Sequence, residues 1–156
     1  MIIAYERKDY IKNAVESVLN QKYPAHLIEI AVVKSFKDDE IDDFLSKSNV
    51  KCIYTEEKSI GKKFSLEFEI STGEIICMQD DDTFSPLKLS KINEIHKADP
   101  SIDIFTNGFD IVDKGGEILD VNFFRRQRDI PGQTNIIKDK SGLIQARSIR
   151  SPQFTV

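Results

Sequence analysis

Short apolar runs alternate with helically spaced apolar positions through the first 98 residues. Ile2-Ile3-Ala4 is a very short apolar run that predicts a strand. Ile11, Ala14, Val15, Val18 and Leu19 then recur at the spacing of a helix with one buried face, entered at Asp9 and ended by Tyr23-Pro24. Residues 28–33 are almost continuously apolar, which predicts a strand covered on both faces. Asp38-Asp39 precede a short helix carrying Ile41, Phe44 and Leu45, and residues 50–54 predict another strand. Gly61 opens a helical stretch bearing Phe64, Leu66, Phe68 and Ile70, with Gly73 as its C-cap. Residues 74–78 predict a buried strand. Ser85-Pro86 reads as the N-cap and first residue of a helix over 86–98, with Leu89, Ile92 and Ile95 inward and a stop at Asp99-Pro100.

This strand–helix alternation predicts an α/β fold with a mostly parallel, doubly wound sheet and helices on both faces. Beyond residue 99 the regularity falls. Residues 102–106 predict a strand, while 109–112 and 118–123 flank the glycine-rich turn Asp113-Lys114-Gly115-Gly116 as a β-hairpin. From Arg125 onward the chain is polar, with Pro131-Gly132 and Ser141-Gly142 as turn signals. A single domain over 1–156 is expected, with a regular half (1–98) and a remainder (99–156) that holds the hairpin.

The candidate chemistry lies at Asp80-Asp81-Asp82, between the predicted strand 74–78 and the predicted helix. Open α/β sheets bind ligands at the carboxyl ends of their strands, which is where this order places the carboxylates. Three adjacent carboxylates repel one another, and a hard divalent cation such as Mg²⁺ or Mn²⁺ relieves that repulsion while bridging to phosphate oxygens. An acidic run ahead of a helix also has a plainer reading, as a solvated entrance favoured by the helix dipole.

Composition narrows the remaining classes. Hydrophobic residues at 40% and charged residues at 31% place the chain among ordinary globular proteins. A net charge of −4 offers no global attraction for nucleic acid, and no basic face with stacking aromatics argues for it locally. Arg125-Arg126-Gln127-Arg128 is the one basic cluster, suited to phosphates, an anionic acceptor or lipid headgroups. Cys52 and Cys77 stand alone in apolar runs as small buried hydrophobes, without metal or disulfide spacing, so a cytoplasmic location is expected. A peripheral place at a membrane surface is compatible with the arginine cluster.

The segments IIAYERKDYIKNAVESVLNQKYP, IEIAVV, SIGKKFSLEFEISTGEIICM and QDDDTFSPLKL, in this order, resemble the family 2 glycosyltransferases. The resemblance covers about the first 90 residues. It implies the GT-A fold and transfer of a sugar from a nucleotide-diphosphate donor, a UDP- or GDP-sugar, to a hydroxyl of a saccharide, lipid or protein acceptor. It also implies inversion and help from Mg²⁺ or Mn²⁺. On this resemblance Ala4, Tyr5 and Glu6 line the nucleotide pocket with Ser35, Lys62 and Lys63 approach the diphosphate, and Asp80 lies near the ribose. Asp80, Asp81 and Asp82 hold the metal as a DXD-type motif; two registers, Asp81 with Asp82 or Asp80 with Asp82, stay open.

Three departures accompany the resemblance. Lys34 and Ser35 stand where the family often closes its second strand with two aspartates, and Gln79 stands where one register would place the first aspartate. No recognisable base motif surrounds Asp110, Asp113, Asp129 or Asp139, so the catalytic base is expected beyond Val156 in a truncated chain. Truncation would leave apolar surface and strand edges open to self-association. The alternative function is a degenerate relative that binds nucleotide, or scaffolds a partner, without turnover.

Overall fold

A computed structural model describes residues 2–4, 8–80, 82–105, 135–138 and 144–147. The chain divides into two compact units, Met1–Thr83 and Phe84–Val156, so the boundary precedes the last long helix.

In the first unit three short parallel strands, β1 (Ile2–Ala4), β2 (Ala31–Lys34) and β3 (Lys51–Tyr54), form a sheet in the order β1-β2-β3. The register pairs Ile2 with Val32 and Val32 with Cys52, and it ends with Ala4 beside Lys34 and Lys34 beside Tyr54. Helix α1 (Lys8–Leu19) crosses from β1 to β2 and α2 (Asp39–Lys47) from β2 to β3. They pack on each other, α1 against β1 and α2 against β3. α1 buries Ile11, Ala14, Val15 and Val18, as its spacing predicts. Asp38 caps α2 by accepting a hydrogen bond from the Ile41 amide at 3.2 Å.

Helix α3 (Ile60–Ile70) then returns across β2. It starts at Ser59, whose Oγ accepts from the Lys62 amide at 3.4 Å. It delivers the chain to the far side of β1, where Gln79 makes a single parallel bridge with Ile2. The order of neighbours across the sheet is therefore β3, β2, β1, Gln79. Consecutive connections run one way from β1 and then reverse, which makes the carboxyl ends of β1 and of the Gln79 segment a topological switch point.

Several predicted elements differ. Residues 28–30 precede the strand, because a 3₁₀ turn (Ala25–Leu27) leads through Ile28 into it. Residues 74–78 are not a strand, and Ile76 and Met78 are 38% and 48% exposed. β1 has only three residues with which to pair on that side, so a single bridge forms. Gly73 is not the cap of α3: Ser71 closes the helix in extended conformation, its amide donating to the carbonyls of Glu67 and Phe68. Cys52 is exposed on β3 and Cys77 half-buried, so the two are not both core residues.

In the second unit α4 (Lys88–Ala98) starts two residues later than Pro86 predicts. The Lys88 amide donates to the Ser85 carbonyl at 3.0 Å, which puts Pro86 in a turn ahead of the helix; Leu87 takes the cap position without a side-chain bond. Residues 102–105 are not a strand. β4 (Asn135–Lys138) and β5 (Ile144–Arg147) pair antiparallel, two strands the polar tail did not suggest. The hairpin expected at 109–123 and the arginine cluster lie outside the described residues. No described helix is long and apolar enough to cross a membrane.

Candidate functional site at the switch point

Side chains alternate along a strand, so consecutive residues at the end of β2 serve opposite faces of the sheet. Lys34 turns to the α2 side, where its Nζ lies 2.5 Å from Asp42 Oδ1 and donates to the Phe36 carbonyl at 2.8 Å. Ser35 turns to the α3 side and accepts from Lys63 Nζ at 3.3 Å. The Ser35 amide also donates to the Ala4 carbonyl at 3.3 Å, which ties the ends of β1 and β2 together. Ala4, Ser35 and Lys63 are therefore linked through hydrogen bonds at Ser35. Lys63 is fully buried, so its ammonium is fixed by packing rather than waving in solvent.

Lys62 takes a different place. It is exposed, and its Nζ pairs with Glu57 Oε2 at 3.1 Å beside the start of α3. Adjacent helical residues point about 100° apart, so one of the two lysines had to leave the buried face. Tyr5, Glu6 and Asp81 lie outside the described residues.

The buried face of α3 also holds Glu67, one turn after Lys63. Both its carboxylate oxygens are buried without a hydrogen-bond partner. Burial pushes the carboxyl up to about 7, and the nearby amides of Val33 and Ile2 exert a smaller opposing pull without satisfying either oxygen. Reading the helix through Phe64, Leu66, Phe68 and Ile70 missed Glu67 and did not show that Lys63 is buried. A period of two spreads apolar side chains over two sides of a helix, and Phe68 ends 47% exposed.

Asp80 and Asp82 follow Gln79 directly, exposed at the carboxyl side of its bridge to Ile2. Gln79 itself is buried, and its Nε2 donates to the Asp82 carbonyl. Among the described residues, no three His, Cys, Asp or Glu side chains gather into a metal cluster. The described donors, two exposed carboxylates, suit a hard cation that shares its coordination with phosphate oxygens and water, and not an all-protein cage.

The comparisons with known proteins give the family and the fold. Residues 1–149 match the model of the family described as Glycosyl transferase family 2. The chain belongs to that family. Its fold is GT-A. A crystal structure of S. aureus TarS superposes at a TM-score of 0.59 with 18% identity, covering 76% of this chain and 22% of that one. The structure of S. aureus TarS 1-349 in complex with UDP gives 0.63 and 18%, covering 77% of this chain and 37% of that one. This family 2 chain thus spans well under half the length of those neighbours. No curated protein sequence matches it.

Proposed function

We propose that the chain is the donor-binding part of a glycosyltransferase that moves a sugar from a UDP- or GDP-sugar to an acceptor hydroxyl, with inversion and with Mg²⁺ or Mn²⁺. The observation that carries this reading is the buried Lys63 ammonium bonded to Ser35 at the end of β2. Asp80 and Asp82 follow Gln79, which bridges Ile2 on the other edge of β1. A diphosphate needs positive charge at its oxygens, and a cation shared with carboxylates supplies the rest by neutralising charge on the departing group. Lys63 holds and orients the donor from the sheet side, with Ser35 fixing the direction of its ammonium. Asp80, Asp81 and Asp82 would hold the cation, with Asp80 nearest the ribose. Ala4, Tyr5 and Glu6 line the nucleotide side of the same crevice.

Calorimetric titration of UDP and GDP, with Mn²⁺ and with EDTA, tests the reading on the wild type and on Asp81→Ala. Metal-enhanced binding that the variant loses supports a donor site. A folded wild type that binds neither nucleotide overturns it.

One observation favours a second reading, nucleotide binding without turnover. Lys34 is committed to Asp42, so the end of β2 offers a cation and a hydroxyl where relatives often carry two carboxylates. Release of UDP or GDP from a panel of nucleotide sugars separates the two readings.

A further inference from the structure

Helix α3 turns its polar side to the sheet. Its buried residues are Lys63 and Glu67, while Ile60 and Phe68 are 63% and 47% exposed and Phe64 is half-buried. α1 and α2 bury apolar side chains instead, as surface helices usually do. Glu67 is fully buried, and neither carboxylate oxygen has a hydrogen-bond partner. The charged groups around it are engaged with other residues. On its own helix Lys63 donates to Ser35, Lys62 pairs with Glu57, and Glu69 is exposed. On β2, Lys34 pairs with Asp42 on the other face of the sheet, and at the end of α3 Lys51 pairs with Glu29. β1 carries no titratable side chain. Positive charge at the amino terminus pulls the Glu67 carboxyl down by less than burial pushes it up.

Phe64 and Phe68 each follow one of the buried pair by a single residue, so they lie about 100° around the helix from Lys63 and Glu67. A roll of that size exchanges the two pairs. We infer that α3 has two settings on β2 related by this roll: with Glu67 protonated, Lys63 and Glu67 face the sheet, and with Glu67 ionised, Phe64 and Phe68 turn inward and both polar side chains reach water. An unpartnered carboxylate inside the protein is costly, whereas aromatic side chains gain by burial, so ionisation favours the rolled setting. A solvated glutamate ionises near 4.5 and the buried one at about 7, so the rolled setting gains between these values and levels off above them. The roll also takes the Lys63 ammonium off Ser35 and thereby regulates the donor site; that consequence rests on the donor-site reading above, whereas the roll itself does not.

Acetylation of lysines by an amine-reactive ester, quantified residue by residue by mass spectrometry at about pH 6 and pH 8, reads the two settings without any nucleotide. Exposed Lys62 corrects for the pH dependence of the reagent, and buried Lys34, on the other face of the sheet, reports unfolding of the whole unit. The expected result is a rise of about tenfold in Lys63 labelling relative to Lys62 from the lower to the higher pH, with Lys34 unchanged. Glu67→Gln, which does not ionise, should show no rise; Glu67→Met takes its place if the amide prevents folding. Phe68→Ser, which weakens the rolled setting, should lower Lys63 labelling at the higher pH about three- to tenfold, with circular dichroism melts as a control on folding. A flat wild-type ratio overturns the inference, and so does an equal rise in Glu67→Gln. A matching rise at Lys34 overturns it in favour of unfolding of the unit, and undiminished labelling in a folded Phe68→Ser overturns the roll. A wild type that binds no UDP at either pH overturns the donor site and leaves the two settings of α3 standing.

Discussion

Lys63 and Glu67 lie one helical turn apart on the buried face of α3, and their surroundings differ sharply. The ammonium of Lys63 reaches Ser35 Oγ at 3.3 Å, at the end of β2. The carboxyl of Glu67 lies near the amides of Val33 and Ile2, with neither oxygen hydrogen-bonded. The ammonium thus has a hydrogen-bond partner at the end of β2, while the carboxyl is buried without one.

Glu67 makes stability depend on pH. The folded protein keeps its proton up to about pH 7, whereas an unburied glutamate loses it near 4.5. Below pH 4.5 both states are protonated and the group is neutral in the balance. Between 4.5 and 7 only the unfolded chain ionises, so stability falls as pH rises, and above 7 the loss is complete at about 3 kcal/mol. Glu67→Gln is expected to flatten this part of the profile and to be more stable than the wild type at pH 8. Urea denaturation at pH 5 and pH 8 measures both; parallel profiles for the two proteins would refute the assignment.

Glu29 acts in the opposite direction. Its carboxylate is held down to about 2, first by the hydrogen bond from Lys51 and then by those from Thr72, against a smaller desolvation effect. Lys51 Nζ lies 2.5 Å from Glu29 Oε2 and also donates to the Ile70 carbonyl at 3.0 Å, at the end of α3. Thr72 donates through its amide at 2.8 Å and its hydroxyl at 2.7 Å. This stabilisation is present above pH 4.5 and is lost as pH falls toward 2. Solvent screens the partly exposed pair, so Glu29→Gln should cost about 1 kcal/mol at pH 7 and almost nothing at pH 2. Paired melts of wild type and variant at the two pH values would show it.

Lys63→Met preserves length and volume while removing the buried ammonium. Replacing a buried charge with an apolar isostere is often neutral for stability, so the melt should change little. UDP affinity should fall about 10- to 100-fold, the scale of a charge-assisted hydrogen bond to phosphate. Lys62→Met, at the exposed neighbour paired with Glu57, should bind UDP like the wild type. Equal effects from both variants, read by calorimetry, would contradict the buried placement of Lys63.

Chelation should separate the two ends of the nucleotide. With EDTA, affinity for UDP is expected to drop at least tenfold, while affinity for uridine, which has no phosphate to share with a cation, should not change. Metal-independent UDP binding would remove the aspartates from the donor site.

Much of the first unit was legible from local signals. The spacing of Ile11, Ala14, Val15 and Val18 placed α1, Asp38 marked the start of α2, and the apolar run 28–33 marked a buried strand whose first three residues lie ahead of it. Each is a property of a few neighbouring residues, set by periodicity or by one capping bond. Ser85-Pro86 misled because serine followed by proline serves a β-turn as well as a helix start, and only the bond from Lys88 to Ser85 chose between them.

The order of residues alone determined the elements that local chemistry specifies and the position of three aspartates after an apolar run. Tertiary structure decided the rest. Residues 74–78 carry an apolar pattern, but a strand needs a partner with free backbone groups, and three-residue β1 offered them only at Gln79. Phe64, Leu66, Phe68 and Ile70 could not choose a side of α3 by themselves. Packing on β2 chose the side of Lys63 and Glu67, because a buried helical face is set by the sheet that covers it. That choice brought the Lys63 ammonium to Ser35 and left the Glu67 carboxyl in the core.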